Sequence, residues 1–234
     1  MRQLLKKAPG LRRVWRLAKG VRKAYDRRFG AGRLTRSLAN TSRKQIVIGA
    51  GAKREAGWIP TQMQYLDLLK PAHWEGFFQP DSIDAILAEH VWEHLTVEEG
   101  RIAAHTCFKY LRPGGYLRIA VPDGLHPSPT YREWVRVGGA SPMQVANDHK
   151  VLYDHRMLSE VFESAGFRVH LYEYFDQAGS FQYQEWDPKR GKIWRSKRFD
   201  SRNSEGKLVF TSIILDAVKD EAPASSRAAS ALTA

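Results

Sequence analysis

Three short stretches of the chain hold residues whose type and spacing suit chemistry. The first is Gly49-Ala50-Gly51, directly after the apolar run Ile46 to Ile48. A glycine turn at the end of a strand lets the backbone come close to a ligand, because no Cβ intervenes. The third glycine of the dinucleotide fingerprint is absent, with Arg54 in its place, which counts against NAD. The second is His90-Val91-Trp92-Glu93-His94, an H-x-x-E-H spacing in which two histidines one helical turn apart can hold zinc. Here it follows a buried strand directly, and Thr96 starts a new helix, so the two histidines need not share a helical face. The sequence therefore supplies no expected metal ligand set. The third is the lone Cys107, which has no partner for an internal disulfide and indicates a reducing compartment, and no metal site can rest on cysteine.

The elements that must position these residues begin at Lys44, where apolar runs alternate with helical periodicity, the signature of strands joined through helices into a parallel sheet. Gln45 to Ile48 is expected to be a strand ending in the glycine turn. Short extended pieces are expected at Trp58 to Thr61 and Gln64 to Leu66, and a strand covered on both faces at Ile83 to Ala88. Thr96 and Glu99 form a capping box for a helix that Pro113-Gly114-Gly115 ends, and Tyr116 to Val121 is the next strand. Residues 124 to 150 have no clear period and are expected to form a long loop of the lid or binding type. A helix from about Asp154 to Gly166, a strand at Phe167 to Leu171 and another at Leu208 to Val218 complete the series. Residues 176 to 206 are rich in aromatic and basic side chains and suggest an inserted hairpin or flap, suited to a phosphorylated or sugar-bearing acceptor or simply solvated. Only six residues separate Gly51 from Trp58, so the first crossover helix must be rudimentary or the second strand starts later.

Charge divides the 234 residues unevenly. Residues 1 to 44 hold 15 Lys and Arg against one acid, Asp26, while the remainder carries a net charge of −2. Within residues 1–43, Leu11, Val14, Trp15, Ala18, Val21 and Tyr25 recur at helical steps among basic residues, a basic amphipathic helix. Such a helix suits an anionic membrane surface or RNA, or its stripe docks on the domain with the charges solvated. A transit peptide would share the Arg-rich, acid-poor composition, although no Ser or Thr precedes Thr35. No apolar run is long enough to span a bilayer and no signal-peptide core is visible, so the expected location is cytoplasmic, with attachment to the inner membrane surface as a variant. The Ala- and Ser-rich residues 221–234 are expected to be a disordered tail.

In order, Asp81 to His90, Glu93-His94-Leu95, Leu111-Arg112-Pro113-Gly114-Gly115 and Val121-Pro122-Asp123 resemble the class I S-adenosylmethionine-dependent methyltransferases. With Gly57-Trp58 soon after the glycine turn, the series is similar to a bacterial methyltransferase group of type 11 character. The resemblance covers about residues 44 to 218. It implies an α/β Rossmann-like fold: a mostly parallel sheet of about seven strands, the last antiparallel, with helices on both faces. The implied domain is 44–220.

The implied cofactor is S-adenosylmethionine. Gly49, Ala50 and Gly51 would pass under its methionine end and ribose. Gln62 stands where an acid would bind the ribose, and Val47 where an acid precedes the first glycine, departures that would weaken binding by about tenfold each. Asp67 and Leu68 would border the adenine. Glu89 and His90 would line the reacting methyl, with Glu93, Asp123 and Tyr153 on the substrate side. A hydroxyl acceptor would need a base, for which His94 is the first candidate and His149 the second. The expected acceptor is a small molecule or glycan. The rival functions are a binding protein that keeps the fold without catalysis, and an RNA methyltransferase that uses the basic arm.

Overall fold

The computed structural model describes residues 9–138, 148–204 and 206–221. Seven strands form one sheet: β1 (Gln45–Ile48), β2 (Ile59–Pro60), β3 (Ile83–Glu89), β4 (Leu111–Pro122), β5 (Arg168–Phe175), β6 (Phe181–Tyr183) and β7 (Ser212–Val218). Their order is β2-β1-β3-β4-β7-β5-β6. Neighbouring strands from β2 to β4 pair in parallel, and β7 runs antiparallel to both β4 and β5. This is the Rossmann-like arrangement expected, with the last sequential long strand inserted antiparallel. Between β1 and β3 the order reverses direction, and in an open α/β sheet ligands bind in the crevice at such a switch point, beyond the carboxyl ends of the strands.

Among the described residues five helices accompany the sheet: α1 (Pro9–Ala39), α2 (Pro71–Glu75), α3 (Val97–Tyr110), α4 (Pro129–Val135) and α5 (His155–Glu163). The Thr96 capping box is present, with the Thr96 hydroxyl accepting from Glu99 N–H and the Glu99 carboxylate accepting from Thr96 N–H. Asp154 caps α5 through Met157 N–H. Leu158, Val161 and Phe162 of α5 join Ala103, Ala104 and Cys107 of α3 in the main core, against Ile86, Ile119 and Leu215 of the sheet. The alternate side chains Ala85, Leu87, Tyr116, Ala120 and Ile214 point to the other face, where Trp58, Trp186 and Ile193 cover them. On that face the covering comes mainly from residues 184–211, which contain only a one-turn helix at Pro188–Arg190.

Two expectations need correction. The expected loop of residues 124 to 150 contains a helix: Ser128 caps α4 by accepting from Tyr131 N–H, and Tyr131 and Val135 are buried, while residues 139–147 lie outside the described residues. Too short for a visible period, α4 is held by these anchors. Gln64 to Leu66 is a turn in place of a strand, because Tyr65 and Leu66 N–H both bond back to Gln62 O. The first crossover is as rudimentary as its length required: no helix separates the glycine turn from β2, only a loop.

The basic helix α1 exists, but its stripe does not dock as a whole. Val21 is 70% exposed and Tyr25 50%, whereas Leu34 is buried. The seat is formed lower down: a Cβ on Gly30 would lie 2.2 Å from the Tyr65 ring, so glycine permits the helix to press on that ring. The side chains of Leu11, Val14 and Trp15, and residues 222–234 of the expected tail, lie outside the described residues. Among the described residues no helix is long and apolar enough to cross a membrane.

Candidate active site

The glycine turn leaves β1 at the switch point. Gly49 and Gly51 have φ of +60° and +55°, which disfavour any side chain. Both are exposed, and among the described residues a Cβ on Gly51 would meet only Gly49 O, 3.9 Å away. Ala50 between them is buried and ties the turn to β2 through its N–H to Thr61 O, at 3.0 Å. Gln62 steadies the same turn, its amide donating to Gly51 O at 2.8 Å.

Glu89 ends the neighbouring strand β3. Its carboxylate accepts from Lys53 Nζ, reaching back from the glycine turn, and from Arg195 N–H at 2.9 Å. The inserted segment 184–211 therefore borders the crevice as well as covering the sheet. Its anchor is Arg118, a fully buried guanidinium in the middle of β4. Arg118 holds Asp216 through two bonds of 2.7 and 2.9 Å and donates to the carbonyls of Asp187 and Gly191 at 2.8 and 3.0 Å. Glu173, also buried, accepts from Trp186 Nε1, Lys197 N–H and the Thr211 hydroxyl. Charged residues inside strands that otherwise read as apolar, Arg118 and Asp216, were the available sign of this anchor.

Beyond Glu89 the chain turns sharply at His90, whose φ is +57°. A left-handed histidine costs backbone energy and is held here by its N–H to Ala120 O at 2.8 Å. A 3-10 turn at Trp92–His94 then presents Glu93 inward and His94 at the rim. The Glu93 carbonyl accepts from Lys150 and Val151 N–H at 2.7 and 3.3 Å, and this stitch draws His149 to the same place. The His94 and His149 rings meet edge to face with centroids 5.0 Å apart, and His149 Nε2 lies 3.9 Å from Glu93 Oε1.

The protons can be placed from the hydrogen bonds. The Ser212 hydroxyl donates to Arg195 O at 2.8 Å, so it accepts from His90 Nε2–H at 3.0 Å. The lone pair of a neutral His90 then sits on Nδ1, 3.0 Å from Glu93 Oε1. Burial pushes the Glu93 carboxyl up to about 8 and holds His90 well below the usual histidine range. A neutral Glu93 therefore faces a neutral His90, although neither Glu93 oxygen makes a well-formed hydrogen bond among the described residues. His149 donates Nδ1–H to Val135 O at 2.9 Å, which leaves its lone pair on Nε2, and burial lowers its pKa too.

Of the remaining predicted residues, Asp67, Leu68 and Asp123 make their own bonds or core contacts, and Tyr153 lies beneath the cluster. Asp67 lies in the loop before α2, with Oδ1 accepting from Leu69 N–H at 3.0 Å, and Leu68 is a core side chain. Asp123 is fully buried, with its two oxygens accepting from Leu125 and Phe175 N–H at 2.9 and 2.7 Å, and burial raises it to about 6. These bonds make it a staple between the end of β4 and β5. Tyr153 is fully buried against Gly100, beneath the cluster. Sequence reasoning missed Lys53, Arg195 and Ser212. A depression of about 180 Å³ between α1 and β2, lined by Arg33, Arg54, Gln62 and Tyr65 among others, touches the candidate set only at Gln62.

No protein-family model and no curated protein matches the chain. Its backbone is similar to several solved structures. One is a methyltransferase from Thermotoga maritima, described as a possible histamine N-methyltransferase, at 12% identity and a TM-score of 0.44 over 87% of this chain and 96% of that one. Another is an O-methyltransferase family protein from Burkholderia thailandensis, at 12% identity and TM-score 0.45 over 87% and 60%. A third is phosphoethanolamine N-methyltransferase 2 of Haemonchus contortus in complex with S-adenosyl-L-methionine, at 16% identity and TM-score 0.42 over 77% of this chain and 49% of that one. These neighbours are S-adenosylmethionine-dependent or O-methyltransferases, the family the motifs resemble. The likenesses are too distant to argue from, and the assignment of the fold rests on the strand order.

Proposed function

We propose that this protein transfers a methyl group from S-adenosylmethionine to a small-molecule or glycan acceptor. The observation that carries the reading is the switch point, which sets the open glycine turn of β1 beside the carboxylate end of β3. The exposure and left-handed φ of both glycines suit a ligand lying on the backbone. Gly49, Ala50, Gly51 and Gln62 would hold the cofactor's methionine and ribose parts, Asp67 and Leu68 its adenine, and Glu89 and His90 its reactive end.

When bound, the cofactor supplies an electrophilic methyl on a sulfonium. The protein's part is to align an acceptor lone pair, exclude water and, for a hydroxyl, take the proton. His149 is the better placed base, since Val135 fixes its tautomer and burial keeps it neutral. His94, at the rim, would guide the acceptor, and Glu93 would share its proton with His90. Asp123 and Tyr153 would act by holding the floor of the site.

The test is calorimetric titration with S-adenosylhomocysteine, followed by thermal melting. Ligand at 100 times its dissociation constant adds about 2.7 kcal/mol, a rise of roughly 5 to 10 °C. No rise at millimolar ligand would refute the proposal.

For the N-terminal helix, the exposed apolar series Leu17, Val21, Tyr25 and Phe29 favours contact with an anionic membrane surface over RNA. RNA contact would use the charges and leave these side chains in water.

A further inference from the structure

We infer that Glu93, His94 and His149 form a binding site for a divalent transition-metal ion, with Zn(II) the expected occupant. Each residue offers one ligand atom, and these atoms all lie within 4.8 Å of one another. Tetrahedral ligands at zinc bond lengths stand about 3.3 Å apart, so closure needs side-chain shifts of up to roughly 1.5 Å. His94, on a short 3-10 turn and 29% exposed, can make such a shift.

The second, independent observation is the state of the ligands. Glu93 is 1% exposed; its Oε1 faces His90 Nδ1 at 3.0 Å, yet neither oxygen finds a well-formed hydrogen bond among the described residues. A buried carboxyl is ordinarily satisfied, so one left without such bonds is aimed at something else. His149 commits Nδ1–H to Val135 O, which leaves Nε2 as a lone pair 3.9 Å from Glu93 Oε1. His94 Nδ1 lies 3.3 Å from the Asp148 carboxylate, and a proton donated there leaves Nε2 as the ligand. Metal-binding histidines are oriented in this way, by giving the second ring N–H to a carbonyl or carboxylate.

His90 lies outside this group: it donates Nε2–H to Ser212 and turns Nδ1 to Glu93 Oε1, 3.0 Å away. The site thus differs from what the H-x-x-E-H spacing alone would suggest: Glu93 is a ligand, and the second histidine comes from 55 positions further along the chain, His149. Two imidazoles and one carboxylate suit zinc and its transition-metal neighbours in place of magnesium or calcium, which take oxygen ligands. Three protein ligands also leave a coordination position open. Because the metal occupies the His149 Nε2 lone pair, it and the role of His149 as base exclude one another, so bound metal should inhibit transfer to a hydroxyl acceptor.

The test uses the full chain without a histidine tag, stripped by chelator and titrated with Zn(II) and Co(II). The expected result is one ion per chain, a Co(II) visible spectrum of nitrogen and oxygen ligation, and a melting rise of roughly 5 to 10 °C at 100 times the dissociation constant. His149→Ala and Glu93→Gln should weaken binding by about 100-fold or more, while His170→Ala, on the exposed side of β5, should leave it unchanged. Should Glu93→Gln fail to fold, His94→Ala at the rim carries the same expectation. Absence of stoichiometric binding, or equal binding by the His94 and His149 variants, overturns the site. S-adenosylhomocysteine titrated into stripped protein separates the two readings: cofactor without metal binding overturns this site alone, and metal without cofactor binding supports it while refuting the methyl-transfer reading.

Discussion

Replacing Arg118 by methionine should release the segment that covers one face of the sheet and should weaken the cofactor site without touching it. Arg118 donates four hydrogen bonds, two to Asp216 and one each to the carbonyls of Asp187 and Gly191. Its removal leaves Asp216 buried with only the Tyr172 hydroxyl at 3.2 Å and the distant Arg190 at 3.9 Å. Breaking a buried pair from one side costs about 3 to 5 kcal/mol. At 2 to 4 °C per kcal/mol for a domain of this size, the melting temperature should fall by roughly 10 °C. The double change Arg118→Met with Asp216→Leu should recover about half of that, because the charge is gone but the two carbonyls still lack a donor. Urea unfolding measures the loss, and limited proteolysis should show faster cutting within residues 184–211. A loss under about 1 kcal/mol, or a double variant no more stable than the single one, would refute the assignment of Arg118 as the anchor.

Other consequences can be tested in parallel. His126 is held down to about 4 by burial, so the unfolded chain takes up its proton near 6.5 while the native one does not. Stability should therefore fall as pH drops from 6.5 to 4, and His126→Phe, which keeps the stacking on Tyr131, should flatten that slope in pH-dependent melting. Deleting residues 1–24 should leave the melting temperature nearly unchanged and abolish sedimentation with anionic vesicles, whereas deleting residues 1–40 should destabilise the domain by removing buried Leu34 and the Gly30 seat on Tyr65. Once an acceptor hydroxyl is found, His149→Ala should lower kcat by about 10² to 10⁴-fold with little change in cofactor affinity, measured by single-turnover kinetics.

What was legible in the sequence was mostly local. The Thr96 and Glu99 capping box and the Asp154 cap are properties of a few adjacent residues, and both formed as expected. The β1, β3 and β7 strands were legible because burial on both faces demands continuous apolar runs. Val47, where an acid was expected, lies against the cluster beneath residues 184–211, which gives a packing reason for an apolar residue there. The meeting of His149 with Glu93 was not legible as a contact, since it depends on backbone bonds from Lys150 and Val151 to a residue far away in sequence. The docking of α1 stayed open because periodicity shows which face of a helix is apolar and not whether a partner exists for it. Gly30, a residue of low helix propensity, marked the actual contact.

The inserted segment also joins two parts of the site that the sequence presents separately. The Arg195 N–H holds Glu89, at the carboxyl end of β3, and the Arg195 carbonyl accepts from Ser212, which in turn fixes the His90 tautomer. One peptide strand thus sets both the carboxylate beside the glycine turn and the imidazole facing Glu93. Because these are backbone bonds, substituting Arg195 itself should change little, while loosening the segment through Arg118 should disturb both. Proximity to the crevice therefore does not by itself make the segment's basic side chains an acceptor site. Its demonstrable tasks are to cover the sheet where long helices are absent and to hold the two halves of the candidate site in register.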